Sequence, residues 1–124
     1  MIALFDSNDP HHTATLDVLR SGIEAGLDFS LPASVLSEVL VGATRHSDAA
    51  ASARRHELRR LFGDVRVIDS DVAVAAARLR ARHRSLRLPD ALVIATAIVD
   101  DAESVLTADK RWADVDNRVQ VLGA

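Results

Sequence analysis

The sequence has no cysteine, one methionine, one tryptophan and only three prolines among 124 residues. Without cysteine there can be no disulfide scaffold, thiolate metal site or cysteine nucleophile, and the absence fits a reducing cytosol. Long apolar runs are also missing. The longest, Ala91 to Val99 with one threonine inside it, falls far short of the ~20 residues that span a bilayer. The opening MIALFDSNDP has no cationic segment before its short apolar stretch, so it does not read as a secretion signal. Together these absences predict a cytoplasmic protein. Fifteen basic residues against eighteen acidic ones give a net charge of −3. That balance argues against nucleic-acid binding through bulk charge and leaves room only for a local basic patch.

What is present is an ordinary globular composition, 48% hydrophobic and 27% charged, in a length that suits one domain with a single core. Asp9-Pro10 is a good helix start, a capping carboxylate before proline, for a helix running through Leu16, Val18, Leu19 and Ile23 to a stop at Gly26. Asp28 to Leu31 is a short strand candidate. Pro32 opens a helix whose apolar stripe is Val35, Leu36, Val39 and Leu40. Ser47-Asp48 caps a third helix, carrying Arg54, Arg55, Arg59 and Arg60 and ending near Gly63. Val65, Val67 and Ile68 form a strand, and Ser70-Asp71 caps an alanine-rich helix reaching about His83. Pro89-Asp90 opens a helix that is apolar nearly all round and therefore buried. Ser104 to Thr107 is a strand, Asp109 to Ala113 a short turn or helix, and Val119 to Leu122 a last strand. Strands alternating with helices predict parallel βαβ units, hence a three-layer α/β/α sandwich around a mainly parallel sheet.

Open parallel sheets carry their sites beyond the carboxyl ends of the strands. Three acids fall where they could meet there: Glu38 in the second helix, Asp90 at the start of the buried helix, and Asp109 after the strand ending at Thr107. Carboxylates grouped without histidine or cysteine make a hard-oxygen site suited to Mg²⁺ or Mn²⁺, ions that can activate water and neutralise charge at phosphorus. Each acid also has a plain structural reading. Asp90 can favour the positive end of a helix, Asp109 can be a turn or cap residue, and Glu38 a solvated helix residue.

The motifs around these acids are more specific than their spacing. Pro-Asp-Ala-Leu-Val-Ile-Ala-Thr-Ala-Ile, followed by Val-Leu-Thr-Ala-Asp-Lys-Arg-Trp, resembles the PIN-domain ribonucleases, in particular the VapC-type toxins of bacterial toxin–antitoxin pairs. Leu-Pro-Ala-Ser-Val-Leu-Ser-Glu-Val-Leu is similar to the helix that carries that family's glutamate. Ile-Ala-Leu-Phe-Asp-Ser-Asn-Asp-Pro-His-His is similar to the end of its first helix and the loop beyond. The resemblance covers the whole chain in order. It implies a Mg²⁺- or Mn²⁺-dependent endoribonuclease with Glu38, Asp90 and Asp109 as catalytic metal ligands, an antitoxin protein as partner, RNA as substrate, and a homodimer. It also implies that residues 1–124 form a PIN-like domain that is N-terminally incomplete. The family's first strand and the aspartate ending it would precede Ile2, and neither Asp6 nor Asp9 matches that aspartate. Such a chain is expected to be marginally stable and a weak nuclease.

Around this set, Thr107 and Arg87 are candidates for substrate binding, Thr107 through a phosphate or a metal-bound water and Arg87 through RNA phosphates. Arg78 with Arg82, and Arg80 with Arg84, would share helix faces. Asp114 and Asp116 are nearby acids that match the family pattern less well than Asp109. His11 and His12 read as surface residues and Trp112 as a packing anchor. Two other functions fit parts of the sequence: a catalytically inactive module that keeps antitoxin binding, and a phospho-accepting receiver domain using Asp69, Thr107 and Lys110.

Overall fold

The computed structural model describes residues 2–3, 21–26, 28–107 and 109–121. Its sheet is parallel throughout. Strand β4 (Val105–Thr107) is buried at all three positions, as expected for a strand covered on both faces. It pairs on one side with β5 (Val119–Val121), Val105 opposite Val119, and on the other with β1 (Ile2–Ala3), Ile2 opposite Val105 and Ala3 opposite Leu106. A second ladder joins β2 (Leu31–Pro32) to β3 (Val65–Arg66), with Leu31 opposite Val65. β1 also lies against β2, which brings the two ladders side by side. The architecture is the expected α/β/α sandwich of helices and short parallel strands.

One expectation is corrected. The place beside β4 that the sequence reading left vacant holds a strand, formed by Ile2–Ala3. The physical reason lies in β4. Val105 and Leu106 are 0% and 2% exposed, and a backbone edge in so apolar a setting needs a pairing partner. The apolar pair Ile2-Ala3 supplies one.

The helices follow the apolar spacing. Helix α1 (Ala33–His46) starts from Pro32, whose fixed φ suits a helix entry, and buries Val35 and Val39. Helix α2 (Asp48–Phe62) is capped as expected by Ser47, whose Oγ accepts the Ala50 N–H at 3.0 Å. It ends at Gly63 with φ 70°, a left-handed value that glycine adopts without strain. Replacing Ser47 by alanine is expected to cost about 1 kcal/mol, read from the midpoint of urea unfolding. Helix α3 (Ser70–Arg82) has Asp69 as its cap, one residue before the predicted one. Asp69 Oδ1 accepts the Val72 N–H at 3.0 Å. Arg84 lies beyond the end of α3, so it shares no helix face with Arg80, whose Nε instead donates to the Leu86 carbonyl.

Helix α4 (Leu88–Val99) is the central helix. Ala91, Val93, Ile94, Ala95, Thr96 and Ala97 are all buried, and α3 packs along it. The Thr96 hydroxyl is satisfied within the helix by donating to the Leu92 carbonyl at 2.7 Å. Arg66 at the end of β3 forms a forked pair with Asp100 at the C-terminus of α4 (2.8 and 2.9 Å) and also reaches Asp69 at the start of α3. This ties three elements together at one end of the sheet. It also commits Asp69 to a cap and an ion pair. The helix predicted from Asp9-Pro10 falls largely outside the described residues. Residues 21–24 are helical, and Gly26 ends them with φ 84°.

Candidate functional site

Asp90 and Asp109 meet where the start of α4 approaches the carboxyl end of β4. Pro89 occupies the first turn of α4 and Asp90 follows it, only 17% exposed. A short 3₁₀ turn, Lys110–Trp112, carries the other acid. Asp109 caps that turn, its Oδ1 accepting the Arg111 N–H at 2.9 Å. The Thr107 hydroxyl, fully buried, accepts the Asp109 N–H at 3.0 Å. Thr107 therefore shapes the turn that presents Asp109, a role the sequence did not disclose, and its hydroxyl is not open to a substrate.

The two carboxylates feel opposite environments. Burial pushes the Asp90 carboxyl above the usual carboxylate range; nearby Arg87 opposes this and the charge of Asp109 adds to it. Asp109 is held below that range, chiefly by hydrogen bonds from the Arg111 side chain. Arg111 grips it with Nη2 at 2.7 Å from Oδ2 and Nε at 3.0 Å from Oδ1. Arg87 stands 3.7 Å from Asp90 Oδ2, itself largely exposed. A cavity of about 210 Å³ opens beside Asp90, lined by His83, Arg87, Arg111, Trp112 and Asp114 among others. Trp112 is 1% exposed, and its Nε1–H is buried. It lies close enough to Asp90 to act as a weak donor toward it, which favours the carboxylate slightly.

Glu38 is not brought to this pair. Among the described residues no three histidine, aspartate or glutamate side chains are grouped to hold a metal. The cause is the helix phase of α1. Val35 and Val39 take the core-facing stripe, and Glu38 stands at its margin, about 60° from Val35 and about 100° from Val39, on an exposed position. Asp116 is tied to Arg118 through that residue's N–H and guanidinium, while Asp114 lines the cavity with Asp90. Asp6, Asp9, His11 and His12 lie outside the described residues.

Two carboxylates of this kind suit a divalent cation. They are hard oxygen donors, and one is partly desolvated beside the other's negative charge, a repulsion that a cation would offset. Arg111 and the Trp112 N–H are features of this site that sequence reading missed. Only the turn, which sets Arg111 back over Asp109 two residues earlier, could have shown the first. Among the described residues no helix is long and apolar enough to cross a membrane.

The sequence matches the PIN domain over residues 1–118. No curated protein matches it. Among solved structures the fold is similar to a toxin–antitoxin complex from Klebsiella pneumoniae, at 26% identity over 96% of both chains with a TM-score of 0.70. It is similar also to VapBC2 from Rickettsia felis bound to a DNA fragment from their promoter, at 14% identity over 98% of both chains and TM-score 0.75. FitAcB from Neisseria gonorrhoeae matches at 22% identity over 88% of both chains and TM-score 0.61. The sequence motifs, the parallel α/β fold and this match agree, and the chain belongs to the PIN-domain family.

Proposed function

We propose that this chain is the toxin of a toxin–antitoxin pair and hydrolyses RNA phosphodiester bonds with Mg²⁺ or Mn²⁺. The observation that carries the reading is the Asp90–Asp109 pair at the carboxyl end of the sheet, on a PIN fold whose solved neighbours include toxin–antitoxin complexes. Asp90 and Asp109 would hold the ion, with Glu38 as the third proposed ligand. When bound, the ion supplies charge neutralisation at phosphorus and an activated water. The protein's own part is positional. Thr107 fixes the turn that aims Asp109, Pro89 sets the entry of α4 that aims Asp90, and Arg87 offers a phosphate contact at the rim. An antitoxin protein is the proposed partner, in a cytoplasmic homodimer whose single domain is residues 1–124.

A second reading, a module that binds antitoxin but cleaves weakly, is favoured by one observation. Two acids converge among the described residues, not the three expected. A quenched-fluorophore RNA incubated with the purified chain decides between them. Cleavage with Mn²⁺ that EDTA abolishes is the expected result. No cleavage, together with retained antitoxin binding, would select the second reading.

A further inference from the structure

We infer that Arg111 is a built-in counterion that a divalent cation must displace from Asp109, and that the released guanidinium then serves as a phosphate donor for RNA. This rests on the metal-dependent reading above. Both oxygens of Asp109 are occupied by Arg111, Oδ1 by the backbone N–H and Nε, Oδ2 by Nη2 at 2.7 Å and again by Nε at 3.2 Å. A cation cannot enter the inner shell of Asp109 without breaking the guanidinium bonds. The backbone bond to Oδ1 can survive the exchange and keeps the carboxylate aimed.

Arg111 is built to leave. Its side chain is 76% exposed, and Asp109 is its sole ion-pair partner among the described residues. Arg66 shows the contrast. It is 24% exposed and is bound to Asp100, Asp69 and the Val67 carbonyl, as a structural clamp should be. An exposed ion pair is weak and readily exchanged, whereas a divalent ion brings twice the charge to two carboxylates at once. The freed guanidinium stays at the cavity, because Arg111 lines it together with Arg87. Two guanidinium groups then face an anion with one carboxylate pair neutralised beside them, an arrangement suited to a phosphodiester. In this way the same arginine guards the empty site and serves the filled one.

Calorimetric titration of the full chain with MnCl₂, for the parent and for Arg111→Gln, tests the exchange. Loss of the competitor should tighten Mn²⁺ binding about three- to fivefold. With Mn²⁺ saturating, the salt dependence of binding to an RNA made uncleavable by methylene in place of each bridging 3′ oxygen should fall by about one phosphate contact. Arg111→Lys, which keeps the charge but not the fork, should fall between the two in Mn²⁺ affinity, and thermal melts confirm that each variant folds. Mn²⁺ binding that is equal or weaker in Arg111→Gln, with the parent binding normally, overturns the exchange and leaves the metal reading standing. Absence of Mn²⁺ binding in parent and variant alike overturns both.

Discussion

Replacing Asp90 by asparagine is expected to reduce metal-dependent RNA cleavage by at least about 100-fold while leaving the fold as stable or more stable at neutral pH. The loss of activity follows from its proposed place as a metal ligand, since changes to groups merely supporting such ligands already cost up to about 100-fold. The stability change has the opposite sign from that of most aspartate losses. Burial raises the Asp90 carboxyl above its ordinary value. The folded chain therefore holds the Asp90 proton to higher pH than the unfolded chain does. Ionising Asp90 opposes folding, and the cost grows from the ordinary carboxylate range up to the raised value and stays complete above it. Asparagine removes that cost. The variant should melt at or above the parent at pH 7, with the difference vanishing once Asp90 is protonated in both states. Asp109→Asn should behave in reverse. Its carboxyl is held low by Arg111, so it supports folding above the ordinary carboxylate range. That support is lost as pH falls through the lowered value. Paired melts of the two variants from pH 3 to 8 measure both signs. A lower melting temperature for Asp90→Asn at pH 7 would show that its helix-end and ion-pair contributions outweigh its burial.

Local signals were sufficient for the parts of the fold that depend on neighbours in sequence. The apolar stripe of α1, the Ser47 cap, Gly63 and the all-apolar face of α4 could each be read within a few residues, and the structure carries them. The Asp90–Asp109 pair was legible for a related reason. Both acids stand at element ends that a parallel sheet gathers on one side. Non-local features were not legible. Ile2–Ala3 has too few residues to declare itself a strand, and its state depends on Val105 and Leu106 at the far end of the chain. The cap of α3 is Asp69 where Ser70 was expected, and the other oxygen of that carboxylate pairs with Arg66, three residues earlier. Glu38 was named on the likeness of its helix to the family's, which carries no information about the distance from α1 to Asp90 and Asp109. Arg111 was missed because a 3₁₀ turn, not a helix or strand, sets it beside Asp109.

Trp112 ties the stability of the fold to the shape of the site, and its truncation should have the largest effect on folding. It is the largest of the fully buried side chains and follows Asp109 within one short turn. Trp112→Ala would leave a void between that turn and the core, and such changes cost about 3–5 kcal/mol. Against the ~5–15 kcal/mol that holds a small domain together, this is a large fraction of the whole. The turn carrying Asp109 and the wall of the cavity beside Asp90 would loosen with it. Trp112→Phe should behave differently. It keeps an aromatic ring in the same space and removes the buried N–H. Most of the apolar contact is kept, so the cost should stay below about 2 kcal/mol. Urea unfolding followed by far-ultraviolet circular dichroism, which does not depend on the lost indole, compares the two variants with the parent. If Trp112→Ala unfolded within about 1 kcal/mol of the parent, the turn would have to be anchored by Asp109 and Thr107 alone, and the tryptophan would be filling space that the core can close without it.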